Sequence, residues 1–323
     1  MKKKRGKGLQ KYLFAFDEGY GTAYERFAFD RFASALVERY EISEVLEMPA
    51  DGIMGVPGLK SAVFAAKGCG VTVAHPSAEF LKTAGKIWAA FGFVQPKPEF
   101  VRSHWQDSAF RDDSFDLVWN FCVYEHFPRP EAVVKEMLRV TRRYIFLEIQ
   151  NVFNLGLPFH RAYHYLRREP WDHGNLSQMK ISGLKKIVEG LDAVVLETGA
   201  TDLPPWPDIN IKAAEMLKRE QSQKTQEKGK GKEEGRGKEK GKGKEKGREE
   251  WHELRPAVKL KPLGELLSDL NAVKAAGEAC PKDRFALLLF RIWYNLIEKQ
   301  APSAFKTFVA HHPYLIAEKV GKK

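Results

Sequence analysis

Residue types able to do chemistry gather in three places along this 323-residue chain. The pair Glu125-His126 sets a ring that titrates near neutrality beside a carboxylate. The run His160, Tyr163, His164, Arg167, Arg168, Trp171, His173 collects imidazoles, guanidinium groups and indole within a short span. His160 and His164 have the i, i+4 spacing of helix-borne metal ligands, but no HExxH pattern and no neighbouring cysteine accompany them, so no metal is expected. The third place is Glu44 to Gly58, EVLEMPADGIMGVPG. Val45, Leu46 and Met48 read as the end of a buried strand, and Pro49, Gly52, Gly55, Pro57 and Gly58 break regular structure after it. A glycine turn that leaves a strand and enters an apolar helix lets a nucleotide-like ligand approach bare backbone.

The elements needed to position these groups follow from hydrophobic spacing. Tyr24, Phe27, Ala28, Phe32, Ala35 and Leu36 recur at three and four, which predicts a helical cap from about Thr22 to Tyr40. A strand ending at Glu47, a helix near Lys60 to Lys67 and a β-branched run Val71 to Ala74 make a strand, turn, helix, strand unit of the right-handed parallel kind. Ser77 is an N-cap candidate for a helix whose buried stripe is Phe80, Leu81, Ala84, Ile87 and Trp88. Strands are expected at Phe100 to Val101, within Asp112 to Asn120, and at Tyr144 to Ile149, with a helix from Glu131 to Val140 between the last two. After Asn151 the prolines and Gly174 suggest a loop, followed by a helix from about Ser177 to Glu189 and a strand at Ala193 to Glu197. A strongly apolar helix around Phe285, Leu288, Leu289, Ile292, Trp293 and Leu296 and a strand at Tyr314 to Ala317, extended by Phe308 to Ala310, end the series. That helix is expected to be buried within its own protein, in preference to lying on a membrane surface. Alternating strands and helices imply an α/β fold: a mostly parallel sheet with helices on both faces.

The formal charge of +11 is local. Lys2, Lys3, Lys4, Arg5 and Lys7 supply +5, and Gln221 to Glu250, with eleven Lys/Arg against seven Glu, supplies +4. The body is therefore nearly neutral. The Lys/Glu/Gly segment has nothing apolar to bury and reads as a disordered tether. Its mixed sign and lack of aromatic residues argue against specific nucleic-acid binding. Cys69, Cys122 and Cys280 lack CxxC spacing, which argues against a disulfide framework or a zinc ribbon and suits a cytoplasmic location. No run reaches a membrane-spanning length.

The segment Gln106 to Val140, QDSAFRDDSFDLVWNFCVYEHFPRPEAVVKEMLRV, resembles the class I S-adenosylmethionine-dependent methyltransferases, in particular the type 11-like group. Asp107, Ser114, Phe115, Asp116, Val118, Glu125, His126, Glu136, Arg139 and Val140 fall on the positions of that pattern. The resemblance runs from about Glu41 to Asn151, with weaker support to Glu197 and at the final strand. It implies a Rossmann-like fold with an antiparallel last strand, S-adenosylmethionine as cofactor and a small-molecule acceptor.

By that resemblance, the cofactor-binding set is Glu47, Pro49, Asp51, Gly52, Gly55, His75, Pro76, Asp107, Ser108, Asn120 and Phe121. Glu47 would fix the glycine turn or receive the methionine ammonium, and Asp107 would accept from the adenine amino group or cap a turn. Asn120 and Phe121 would line the methionine end. Two departures stand out. Pro49-Ala50-Asp51-Gly52 replaces the usual glycine-x-glycine, and His75-Pro76-Ser77 stands where a ribose-binding carboxylate is usual. His126 is the candidate general base, oriented by Glu125, with a capping role before Pro128 as the alternative. His160, His164 and Trp171 are candidates to bind the acceptor. WNFC in place of an NPPY-like tetrapeptide argues against amino-methylation of nucleobases. The expected organisation is a tail and cap (1–40), a cofactor-binding core (41–200), a Pro-rich linker with the low-complexity insert (201–282) and a final helix and strand (283–323). The competing reading is a catalytically silent, cofactor-sensing or scaffold protein on the same fold.

Overall fold

The computed structural model describes residues 19–50, 58–92, 98–105, 108–154, 156–168, 171, 173–203 and 281–321. The basic tail, the Lys/Glu/Gly insert, and Asp51, Gly52, Gly55 and Asp107 lie outside them.

Among the described residues, seven strands make one sheet: β1 Glu44–Glu47, β2 Gly70–His75, β3 Glu99–Arg102, β4 Phe115–Phe121, β5 Thr141–Glu148, β6 Ala193–Thr201 and β7 His312–Lys319. Their order is β3-β2-β1-β4-β5-β7-β6. The five central strands pair in parallel, and β7 pairs antiparallel with both β5 and β6. The fold class expected from the sequence is the one observed.

Helix α1, Gly19–Tyr40, crosses one face. Its Phe29 stacks on Trp119 at 5.2 Å, and its Phe32 meets Tyr314 at 4.4 Å. Helices α2 (Ala62–Lys67) and α3 (Ala78–Phe91) share that face and enclose Val45, Val73, Leu117 and Phe146. Ser77 caps α3 by accepting from the Phe80 N–H at 3.3 Å. On the opposite face, α4 (Pro130–Val140) and α6 (Ile181–Glu189) cover Leu46, Val118, Ile145 and Leu315. The helices following β1 and β2 thus lie on one side and the helix following β4 on the other. The sheet reverses its winding between β1 and β4, where open α/β sheets place their ligands.

Several expectations need correction. Phe308 to Ala310 does not extend the last strand: helix α8, Ser303–Val309, occupies it, closed by Ala310 N–H donating to Lys306 O. The stretch after Asn151 holds a helix, α5 (Leu157–Arg167), with Pro158 in its first turn, where a missing N–H does no harm. Helix α6 starts at Ile181, four residues later than read, because the Asn175 side chain turns the backbone at Ser177. Helix α7, Pro281–Trp293, continues into a π turn, Tyr294–Glu298. It buries Ala286 and Phe290 against the cap and leaves Phe285, Leu288, Leu289, Ile292 and Leu296 exposed, so its apolar surface is not enclosed as expected. Among the described residues, no helix is long and apolar enough to cross a membrane.

Candidate functional site

The carboxyl ends of β1, β2 and β4 meet at the winding reversal. Glu47 ends β1 and is buried. Beyond it the chain stays tied to its neighbours, Met48 N–H donating to Trp119 O at 3.0 Å and Ala50 N–H to Ala74 O at 2.9 Å. Pro49 is thereby fixed between β2 and β4. The chain reappears at Gly58, whose φ of +62° belongs to the left-handed region. A Cβ there would stand 3.2 Å from Val73 Cγ1, so glycine both makes the turn and lets it close on β2.

His75 ends β2. Its Nδ1 accepts from the Ser77 N–H at 3.0 Å, and its ring stacks on Phe80 at 3.8 Å. With Nδ1 accepting, the neutral ring carries its proton on Nε2, which makes it a donor where a carboxylate would accept. Pro76 offers its carbonyl to Arg102 Nε at 3.0 Å, so that corner joins β2 to β3.

Ser108 turns its hydroxyl to α4, donating to Glu136 and accepting from Arg139 Nη2 at 3.0 Å. Arg139 forks Glu136 at 2.7 and 2.8 Å and also binds Phe110 O. The glutamate and arginine of KEMLRV thus hold the loop that precedes β4. Asp116, another motif residue, sits at the far edge of the sheet. It accepts from Ser43 N–H, Ser43 Oγ, Glu44 N–H and Arg142 Nε, fastening β1 to β4 and β5.

Asn120 and Phe121 are adjacent on β4 and so face opposite sides. Asn120 is fully buried toward α4; its amide nitrogen lies 3.5 Å from Met137 Sδ, and its carbonyl oxygen has no hydrogen-bond partner among the described residues. Phe121 is packed toward the cap, with Lys60 Nζ 3.3 Å from its ring centroid. Glu125 and His126 lie in a 3-10 turn, Tyr124–His126, after β4. Glu125 is buried, its carboxylate accepting from Gln150 N–H at 3.0 Å and its carbonyl from Asn175 N–H at 2.8 Å. It binds the segments after β5 to the turn. His126 is half-buried, and α4 starts at Pro130, its N-cap residue Arg129 making no side-chain cap.

A second constellation, missed in the sequence, lies at the same sheet edge on the cap side. Lys60 pairs with Glu25 of α1, and Glu25 is 3.5 Å from His312 Nε2. His312 Nδ1 contacts Cys122 Sγ at 3.3 Å, and His311 Nδ1 meets Asp202 Oδ2 at 2.7 Å. Thr201 donates to Glu148, which ends β5 and whose second oxygen has no partner among the described residues. Glu298, aimed inward by the π turn, accepts from Tyr24 OH and from the N–H groups of Asp202 and Leu203. Burial pushes the Glu148 and Glu298 carboxyls up to about 7. Burial would raise Glu25 too, but Lys60 and His312 outweigh it and hold that carboxyl well below the usual range. The signal for these residues was a carboxylate at the end of an apolar run, as in IFLE148, the same pattern that drew attention to Glu47.

The three histidines of the loop cluster come together. His160 and His164 share one side of α5, and His173 reaches them from the following loop, with Nε2···Nε2 separations of 2.8 Å to His160 and 3.2 Å to His164. Trp171 stands beside them, its indole N–H donating to Gly174 O at 2.8 Å.

Comparison with known proteins places similarity in the region of the winding reversal. Residues 54–144 match the family described as "Methyltransferase domain". Over 88 residues the chain is 38% identical to an uncharacterized methyltransferase of Mycobacterium marinum (strain ATCC BAA-535 / M), covering 27% of this chain and 32% of the relative. A similar relative from Mycobacterium ulcerans (strain Agy99) is 36% identical over the same length and shares. The chain therefore spans about a third of the curated relatives it matches. Among solved structures it is similar to a magnesium protoporphyrin IX methyltransferase from Synechocystis PCC 6803, with TM-score 0.45, 15% identity, and coverage of 57% of this chain and 80% of that one. It is also similar to a methyltransferase-like protein from Bacillus halodurans C-125, with TM-score 0.41, 13% identity, and coverage of 90% and 98%.

Proposed function

We propose that this chain, whose residues 54–144 match the methyltransferase-domain family, is a class I S-adenosylmethionine-dependent methyltransferase that methylates a small-molecule acceptor. The observation that carries this reading is the buried Asn120 carbonyl oxygen without a partner, within the matched segment and at the carboxyl end of β4 beside the reversal. An unpaired buried acceptor costs on the order of 1–3 kcal/mol, and a ligand donor at that place removes the cost. Glu47 and His75 end β1 and β2 on the same side of β4, so the residues present fit an adenosyl ligand with an ammonium group and ribose hydroxyls.

In this proposal Glu47, His75 and Asn120 contact the cofactor directly, with Pro49, Asp51, Gly52 and Gly55 forming its floor and Asp107 receiving the adenine amino group. Pro76, Ser108 and Phe121 act as supports: Pro76 holds β3, Ser108 is anchored on α4, and Phe121 backs β4. When bound, S-adenosylmethionine supplies a methyl group on a sulfonium, already activated for displacement. The protein then has to align the acceptor, and alignment alone is worth roughly 7–11 kcal/mol of barrier. His126 is the proposed proton acceptor when the acceptor is a hydroxyl or an acidic carbon. Glu148, whose carboxyl titrates near 7 at the end of β5, is a second group with the required range. His160, His164 and Trp171, beyond the turn that carries His126, are the proposed contacts of the acceptor.

Titration calorimetry of the intact chain with S-adenosylmethionine and S-adenosylhomocysteine tests the reading. Binding of both, weakened by Asn120→Ala, Asp107→Ala and Gly52→Val, is the expected result. The absence of heat at millimolar ligand would remove the enzyme reading, and binding unchanged in all three variants would remove the site assignment.

A further inference from the structure

The meeting of His160, His164 and His173 goes beyond methyl transfer and does not depend on it. Two separations, 2.8 and 3.2 Å, bring three Nε2 atoms to one place, with all three pairs within 4.8 Å. A single imidazole nitrogen carries either a proton or a lone pair, so His173 Nε2 cannot donate to one neighbour while accepting from the other. Hydrogen bonding is therefore a poor account of why three such atoms share one spot. A cation accounts for it directly. Imidazole nitrogens bound to zinc at about 2.0–2.1 Å in a tetrahedral arrangement stand about 3.3 Å apart, close to the spacing seen here.

The supports of the cluster are also in place. Helix α5 sets His160 and His164 one turn apart, with Pro158 in its first turn and Arg168 closing it in the left-handed region. None of the residues of α5 is buried, so core packing does not explain why its histidines meet His173. His173 lies between two anchored neighbours. Trp171 is tied to Gly174 O, and Gly174 has φ +89°, with Glu125 so near that a Cβ would fall 2.8 Å from its Cγ and carbonyl oxygen. Asn175 continues the anchor through its N–H to Glu125 O. Trp171 also walls the cluster, its ring 4.9 Å from His173 and 5.5 Å from His164.

We propose that His160, His164 and His173 form a three-histidine site for a divalent d-block cation of the zinc type, with its fourth position open on the side where His160 is exposed. Three neutral imidazoles without a carboxylate or thiolate among the described ligands suit zinc, cobalt, nickel or copper and discriminate against magnesium and calcium. An open fourth position distinguishes such a site from a closed structural one and leaves room for water or an anionic group. Occupation would fasten α5 to the 171–175 loop, and through Glu125 to the turn that follows β4.

The full chain, freed of metal by chelator and dialysed, is titrated with zinc by calorimetry and with cobalt by visible absorption. The expected result is one ion per chain, the intense d–d bands of four-coordinate cobalt and no response to magnesium. His160→Ala and His173→Ala should each weaken zinc binding by more than about 100-fold, beyond the loss typical of an outer-shell change. Both variants should keep the far-ultraviolet dichroism of the parent, because His160 is exposed and His173 only half-buried. Absence of cobalt bands, or zinc affinity that survives both substitutions, overturns the proposal. So does binding lost through Asp202→Asn but retained in His160→Ala, since that places the ion at the Asp202, His311 and His312 group.

Discussion

At the scale of single residues, the most motif-like carboxylate does no chemistry. Asp116 of DSFD accepts four hydrogen bonds at the start of β4, at the end of the strand opposite Asn120. Burial would raise its carboxyl, but Arg142 and Ser43 hold it well below the ordinary value of 3.8. A depressed folded value means stability that is present above about pH 4 and lost as acid protonates the group. Asp116→Asn should therefore lower unfolding stability at pH 7 by about 2 kcal/mol in urea titrations and leave S-adenosylmethionine affinity unchanged. Glu148 behaves oppositely. Its folded value of about 7 exceeds the 4.5 of an unfolded carboxyl, so between those values the unfolded chain binds fewer protons and stability falls as pH rises. Glu148→Gln, which can still accept from Thr201, should raise stability at pH 8 and flatten its pH dependence between 5 and 7, as read from thermal or urea midpoints. Glu47, Asn120 and the KEMLRV pair were legible in the sequence because strand ends and helical spacing place them. Glu25, Lys60, Asp202, Glu298, His311 and His312 were not, because their meeting depends on pairings across hundreds of residues that local spacing does not encode.

At the scale of elements, legibility followed burial. Helices α1, α3 and α4 each press an apolar stripe on the sheet, and each was foreseen within a few residues. Helix α5 has no buried residue, so it leaves no apolar period to read, and its histidines looked like loop residues. Helix α7 was foreseen as an element but misjudged in setting: composition reports how much apolar surface it carries, whereas the neighbours decide how much is covered. Helix α8 follows Pro302 and was mistaken for strand because Phe308 to Ala310 is apolar and adjoins a true strand. The 171–175 loop makes a sharp test of how elements are joined. Gly174→Ala combines a left-handed backbone with a 2.8 Å collision against Glu125. It should cost about 1–3 kcal/mol of stability and reduce the occupancy of the three-histidine site, measured by urea unfolding and cobalt absorption on the same preparation.

At the scale of the molecule, the sheet owes its second half to a strand contributed from far along the sequence. β7 lies between β5 and β6 and pairs with both, while β6 has no other strand partner among the described residues. A chain ended after Gln300 should lose cooperative unfolding, because β5 and β6 would each lose a full ladder of hydrogen bonds and Leu315 and Ile316 would leave the two cores. Equilibrium denaturation followed by circular dichroism and tryptophan fluorescence checks this, and coincident, steep transitions would refute it. The excess charge sits in the tail and the insert. Deleting residues 221–250 should accordingly leave RNA retention at low salt no weaker than that of the intact chain, measured on an RNA column over a salt series.

Tyr24 and Glu298 are 274 positions apart, and Lys60, Glu25 and His312 close the same buried network. During synthesis, β1 to β5 emerge long before Glu298, His311 and His312, which complete the buried network at the carboxyl end of the sheet. Until residue 312 leaves the ribosome, Lys60, Glu25 and Glu148 keep their hydration, and the nascent sheet lacks a strand between β5 and β6. The carboxyl end of the sheet is thus the last region able to mature, a late event in the life of each new chain.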